Sequence, residues 1–215
     1  MVRERRNRGK LLDDFQVFVK PVGPSCNLSC EYCYYLGKRL LYPGPESFRM
    51  PEILLEEYII QHIEASPEPV IRFSWHGGEP TLAGLDFFRS AVMIQRRHRP
   101  AGRTILNGMQ TNGTLLDDDW GGFLAAEGFY LGLSLDGPEW LHDRYRSAGS
   151  GEPTFRRVMR GYEILRRYGI PADIICVVNS CNVKFALEVY RFFREIGGGY
   201  VTFLPLVEPE TGSPG

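Results

Sequence analysis

The chain has 215 residues and a formal net charge of -1 at pH 7, a balance that gives no argument for a nucleic-acid partner. This length suits one domain that buries a core without covalent staples, and its five cysteines, an odd number, argue against a full disulfide framework. No segment approaches the roughly 18 consecutive apolar residues of a membrane span, and the N-terminus lacks the apolar stretch of a secretory signal, so a cytoplasmic protein with no membrane partner is expected.

Short apolar runs alternate with amphipathic stretches. Residues 1–14, with the basic run RERRNRGK, read as a flexible, solvated tail rather than a binding patch. FQVFVKPV from Phe15 reads as a strand. MPEILLEEYIIQHIEA, with Ile53, Leu54, Ile60 and Ile63 apolar and acids near its start, suits a helix. VIRFSWHGGEP from Val70 is a strand ending in a glycine turn, and GLDFFRSAVMIQRRH from Gly84 resumes helical spacing. RTILNGMQTNG is a strand and turn, LDDDWGGFLAAEG a weaker helix opened by acids, and FYLGLSLDGP a strand running into a glycine-proline turn. TFRRVMRGYEILRRYG from Thr154 is a helix with Gly169 placed as its C-terminal cap. PADIICVVN is a strand, NVKFALEVYRFFREIG a helix, and YVTFLPLVE the last strand.

Strands separated by helical crossovers form parallel sheets through right-handed units. An open doubly wound sheet is one arrangement of this pattern. A partial (β/α)6 TIM-like barrel over residues 15–208 is preferred, because distinctive residues recur after successive strands. These are Cys26 to Cys33 after the first, Gly77 to Pro80 after the second, Thr111 to Gly113 after the third and Ser134 to Pro138 after the fourth. A barrel brings all those strand ends to one mouth, where active sites sit.

The run CNLSCEYCYY spaces Cys26, Cys30 and Cys33 by offsets of four and three. On a helix these would line one face as a buried cysteine stripe; Pro24, Ser25 and Asn27 favour a loop. A zinc site normally takes four protein ligands, and His62 and His76 are remote in sequence. Iron-sulfur clusters are usually held by four thiolates, so three leave one iron of a 4Fe-4S cluster without a protein ligand, open to another molecule.

The pattern Cys26-x-x-x-Cys30-x-Tyr32-Cys33 resembles the signature of the radical S-adenosylmethionine enzymes, whose aromatic residue before the last cysteine is here Tyr32. The resemblance implies a 4Fe-4S cluster on the three cysteines, its open iron chelated by the amino and carboxylate groups of S-adenosylmethionine. One electron then cleaves the sulfonium to methionine and a 5′-deoxyadenosyl radical, which abstracts a substrate hydrogen atom. GGEP, comprising Gly77, Gly78, Glu79 and Pro80, resembles the family's second element, whose backbone and glutamate hold the cofactor's amino group. A carboxylate facing an ammonium makes charge-assisted hydrogen bonds. Glycine-proline turns are common; the position after the second strand gives this one its weight.

WHGGEPTLAGLDFFR, QTNGTLLDDDW, LSLDGPEWLHDRYR, TFRRVMRGYEILRRYG and VYRFFREIG are similar to successive segments of the anaerobic sulfatase-maturating enzymes, from about Val17 to Glu208. That family oxidises a cysteine or serine of a sulfatase to formylglycine. Carried over, Ser134 and Arg146 would contact the ribose and carboxylate of the cofactor, Val201 would pack against adenine, and His76 could face substrate. Asn112 either makes a tight turn or meets the cofactor, and Asp136 either fixes its turn or meets a ligand. Of Tyr34 and Tyr35, one approaches the reacting centre and the other fills core, with Tyr34 favoured for the first role.

Members of that family continue into a cysteine-rich C-terminal domain with two auxiliary clusters and a catalytic aspartate. Cys176 and Cys181 cannot replace it, and Cys176 reads as apolar packing. The chain is therefore expected to be a fragment, with 209–215 starting a linker to the missing domain. The implied partners are an unfolded or nascent sulfatase polypeptide and a low-potential electron donor such as ferredoxin or flavodoxin. A radical maturase of another ribosomally made peptide, or a non-catalytic metal-binding module, stand as alternatives.

Overall fold

The computed structural model describes residues 15–38, 41 and 48–207. The tail assigned to 1–14 and the linker assigned to 209–215 lie outside the described residues. Six strands, β1 (Phe18–Val19), β2 (Val70–Trp75), β3 (Thr104–Thr111), β4 (Tyr130–Ser134), β5 (Ala172–Val178) and β6 (Val201–Pro205), form one sheet in the order β1-β2-β3-β4-β5-β6. Every neighbouring pair is parallel. An unbroken sequential order has no point at which the winding reverses, so right-handed crossovers carry every helix to the same face. This decides against the doubly wound alternative and gives the expected partial barrel, whose sheet ends at β1 and β6 without closing among the described residues.

The helices α1 (Tyr35–Lys38), α2 (Glu52–Ala65), α3 (Leu85–His98), α4 (Asp118–Ala126), α5 (Glu139–His142), α6 (Phe155–Arg167) and α7 (Ala186–Glu195) fill the connections. Strand residues alternate between faces. Ile71, Phe73 and Trp75 of β2 meet Phe87, Phe88, Leu55 and Ile59 in one buried cluster that extends to Trp120, Leu124 and Phe129. Leu133, Leu135, Ile174 and Cys176 form a second cluster with Val158 and Tyr162 of α6 and with Val189 and Phe193 of α7. Inside the first cluster the indole Nε1 of Trp75 donates to Asn107 Oδ1 at 2.9 Å, and Asn107 and Gln95 exchange two amide bonds of 2.9 and 2.8 Å. Those buried amides are therefore paired rather than stranded.

Local signals place the helix ends. Asp117 caps α4 by accepting from Trp120 N at 3.0 Å. For α6, Asp143 supplies the cap from outside the helix, its Oδ1 accepting from Thr154 N and Phe155 N at 2.8 Å each. Gly169 follows the helix at φ 65 with its N–H on Arg166 O, as its sequence position foretold. The first strand is much shorter than its apolar run, because the chain turns at once: Gly23 N donates to Lys20 O and Ser25 N to Val22 O. Pro21 and Pro24 have no ladder donor to contribute there. Among the described residues no helix is long and apolar enough to cross a membrane.

Candidate active site

Cys26, Cys30 and Cys33 line one cavity of about 460 Å³ at the C-terminal ends of the strands. The loop that carries them is not a helix. Leu28 bridges Ala148 in antiparallel fashion, Ser29 N donates to Ser147 O at 2.8 Å, and Glu31 N donates to Tyr145 O at 2.9 Å. The segment after α5 thus satisfies the loop's backbone and sets its path. Burial pushes the Cys26 thiol up to about 11 and raises Cys30 as well, so a thiolate here requires a cationic partner. Among the described residues no three His, Cys, Asp or Glu side chains converge on a point that would hold a single ion. Three thiols lining one cavity are the donor set for a 4Fe-4S cluster with one iron left open.

The GGEP turn is pressed onto this loop. Gly78 has φ 46, and a Cβ there would stand 2.0 Å from Ser25 O, so only glycine fits. Glu79 N donates to that same carbonyl at 2.8 Å. Glu79 lines the cavity, as the sequence reading requires, and its side chain is also bonded within the protein. It is 1% exposed, and its Oε1 accepts from Thr81 N, Thr81 Oγ1 and Thr111 Oγ1 at 3.1, 2.7 and 2.7 Å while Oε2 accepts from Asn112 N at 2.7 Å. Through these bonds the carboxylate ties the second strand end to the third. Burial raises its pKa against the pull of those bonds. Pro80 departs from the sequence reading: it opens a 3-10 turn, Pro80–Ala83, and is buried off the cavity lining.

Asn112 proves to be the centre of a closed ring. Its Nδ2 donates to Asn27 Oδ1 at 2.9 Å, Asn27 Nδ2 donates to Thr114 Oγ1 at 2.8 Å, and Thr114 Oγ1 donates to Asn112 Oδ1 at 2.7 Å. The ring joins the turn after β3 to the cysteine loop, with Asn112 Nδ2 also 3.8 Å from Cys26 Sγ. Asn112 both makes its turn and lines the cavity. The sequence reading used Asn27 only as a loop former and did not single out Thr114; their signal was the tendency of Asn and Thr side chains to bond backbone in turns.

Ser134 and Arg146 also line the cavity. Arg146 is buried and pairs with Asp136 through Nε–Oδ2 at 2.8 Å and Nη2–Oδ1 at 3.2 Å. Asp136 neither lines the cavity nor merely fixes its turn. It also accepts from the Tyr32 hydroxyl and, at 2.8 Å, from Val177 N. Behind the pair, Asp136 N donates to His142 Nδ1 at 3.3 Å, His142 Nε2 donates to Thr154 Oγ1 at 3.1 Å, and Thr154 Oγ1 donates to Arg146 O at 2.9 Å. The accepting Nδ1 fixes the neutral Nε2–H tautomer, and burial followed by Arg146 pushes the His142 pKa down to about 3.

Tyr34 and Tyr35 both border the cavity, at 62% and 8% exposure. Tyr35 is the one that fills space, and Tyr34 stands at the rim. His76 faces the cavity; burial and then Lys20 hold its imidazole below the ordinary range. Val201 does not reach the cavity. It packs on the second core cluster, because Val201 and Phe203 share the helix-facing side of β6, while Leu204 and Leu206 with Ile175 and Val177 supply the cavity's apolar wall. Gln110, also on the lining, sits one strand period before Asn112, a signal that the sequence did offer.

The family model for the Radical SAM superfamily matches residues 21–210. The serine-type anaerobic sulfatase-maturating enzyme of Bacteroides thetaiotaomicron is 43% identical over 192 residues, which cover 89% of this chain and 46% of the relative. The cysteine-type anaerobic sulfatase-maturating enzyme of Clostridium perfringens is 34% identical over 195 residues, covering 90% of this chain and 52% of the relative. A solved structure of native anSMEcpe with bound AdoMet and the Cp18Cys peptide is similar at TM-score 0.84 and 34% identity, covering 92% of this chain and 53% of that one. The chain spans about half the length of the curated relatives it matches. A match across nearly all described residues, together with three cysteines facing one strand-end cavity, shows that the chain belongs to the Radical SAM superfamily.

Proposed function

We propose that this chain is the cluster-binding and S-adenosylmethionine-binding part of an anaerobic sulfatase-maturating enzyme, which oxidises a cysteine or serine of a sulfatase polypeptide to formylglycine. One observation carries the reading: the cysteine loop, the GGEP turn, Asn112, Ser134 and Arg146 come from separate segments yet line a single cavity. Similarity to both serine-type and cysteine-type maturating enzymes supports the substrate class.

When bound, the 4Fe-4S cluster supplies the electron that splits the sulfonium of S-adenosylmethionine, and the adenosyl fragment so released takes a hydrogen atom from the substrate. Cys26, Cys30 and Cys33 would hold the cluster. Gly77 and Gly78 would face the amino group, Ser134 the ribose and Arg146 the carboxylate. Leu204, Leu206 and Ile175 would take the apolar role first given to Val201. Tyr32 and Glu79, both on the lining, would also face the cofactor, Tyr32 while its hydroxyl bonds Asp136, and Pro80 opens the turn behind Gly77 and Gly78. His76 is uncharged at neutral pH, so it can accept a proton or a hydrogen bond from substrate, and Tyr34 meets the peptide at the rim.

Loss of two hydrogens takes a serine side chain to formylglycine directly and a cysteine side chain to a thioaldehyde, which water converts to formylglycine with release of hydrogen sulfide; in both cases a base and an electron acceptor must follow the hydrogen abstraction. We assign both to polypeptide beyond 15–208, with 209–215 leading toward it, and the first electron to a low-potential donor of ferredoxin or flavodoxin type. The test is anaerobic reconstitution with reductant, S-adenosylmethionine and sulfatase-derived cysteine or serine peptides beside unrelated peptides. The expected result is 5′-deoxyadenosine formed by the isolated chain, with formylglycine far below the rate of a full-length relative. Tightly bound zinc and no 5′-deoxyadenosine would overturn the proposal; turnover of unrelated peptides alone would redirect it to another peptide substrate.

A further inference from the structure

Arg146 is held by more structure than a simple ligand contact requires. Asp136 occupies the guanidinium edge formed by Nε and Nη2. A guanidinium offers a second, end-on edge that includes Nη1 and can take another carboxylate in the same bidentate manner. Arg146 lines the cavity and Asp136 does not, so the acid stands behind the cation. Asp136 has no freedom to move: it is 1% exposed and its oxygens also accept from Tyr32 and Val177 N. His142 and Thr154 close a brace from the Asp136 N–H to the Arg146 carbonyl.

We propose that Asp136 is a positioning residue for the ligand's carboxylate: it holds Arg146 so that the end-on edge meets the α-carboxylate of S-adenosylmethionine. The same carboxylate, through Tyr32, keeps the turn between Cys30 and Cys33 in the frame of Arg146. This rests on the reading of the cavity given above. The Asp136–Arg146 pair is neutral as a unit, so it offers direction rather than long-range attraction, and direction is what a desolvated donor requires to be effective. With Asp136 lost, Arg146 keeps its charge and loses its fixed orientation.

The experiment uses the anaerobically reconstituted chain, with equilibrium binding of S-adenosylmethionine and of its decarboxylated analogue, iron per chain, and the melting temperature. Asp136→Asn is expected to keep its iron, to bind S-adenosylmethionine about tenfold or more weakly, a factor worth about 1.4 kcal/mol, and to bind the decarboxylated analogue within about twofold of wild type. Unchanged affinity for S-adenosylmethionine, or an equal loss for both ligands, overturns the proposal, since a general structural defect does not distinguish them. Should Asp136→Asn fail to fold, Asp136→Glu, which keeps the charge one methylene out of place, carries the same comparison with the same expected and contrary outcomes. A wild-type chain that binds neither ligand overturns the reading of the cavity and this inference with it; wild-type binding with an indifferent variant overturns the inference alone.

Discussion

Single residues hold this site together by being unable to do anything else. His142 is fully buried, accepts from a backbone N–H at Nδ1 and donates at Nε2, so a second ring proton would meet a donor head-on. Its folded pKa of about 3 lies below the ordinary value near 6.5. Between those two values the unfolded chain binds a proton that the folded chain refuses. Stability is therefore fully present above about pH 6.5 and falls as pH drops, by at most about 1.4 kcal/mol per pH unit from this group. His142→Gln, which can still accept and donate, is expected to flatten the acid limb of urea midpoints measured from pH 7 to 4. Parallel profiles for the variant and wild type would refute the role. None of this was legible in the sequence, where His142 is an unremarkable residue of LHDRYR; its partners Asp136 and Thr154 reach it only through the fold.

At the scale of elements, what matters is how closely backbones approach. A Cβ on Gly161 of α6 would lie 2.1 Å from Gly113 O, so this helix rests directly on the turn that presents Asn112. By contrast, a Cβ on Gly122 in α4 meets nothing within 4 Å. Gly122→Ala is expected to stabilise the chain by about 0.5–1 kcal/mol through helix propensity. Gly161→Ala is expected to destabilise it by more than that gain, because backbone must shift, and to loosen the Asn112 ring with it. Thermal unfolding of the two variants checks both signs, and a stabilised Gly161→Ala would contradict the packing. The sequence revealed α6 well, through its amphipathic spacing and Gly169, but not this contact. Four-residue helices such as α1 and α5 gave no period to read, and β6 was apolar on both faces, so its register was open and Val201 was assigned to the wrong side.

For the molecule as a whole, a sequentially ordered parallel sheet gathers the ends of its strands at one mouth, and the chemistry-bearing segments follow those ends. That order explains why the cysteine motif, GGEP and Ser134 were legible: each is a local cluster of turn or donor residues placed after an apolar run, and the fold multiplies the meaning of each by bringing them together. The protein partners of Glu79 were hidden for the complementary reason. Its partners Thr111 and Asn112 lie more than thirty residues away, |i−j| of 32 and 33, and no local pattern announces them. The cysteine thiols likewise depend on distant chain, since the loop that holds them is braced by Tyr145 and Ser147 from beyond β4. Cys30→Ala is expected to reduce iron bound after anaerobic reconstitution severely while leaving the melting temperature of the metal-free chain within a few degrees, whereas Cys176→Ala, in the second core cluster, should do the opposite.

The chemistry of this cavity depends most on an iron that the protein leaves for another molecule to hold. The direct measurement is the electron paramagnetic resonance spectrum of the reduced, reconstituted chain, with iron and sulfide counted on the same sample, before and after S-adenosylmethionine is added. About four irons and four sulfides per chain, with a spectrum that changes on addition, are the result that three thiolate ligands require. A chain without iron and sulfide, or a cluster whose spectrum is indifferent to S-adenosylmethionine, would contradict it.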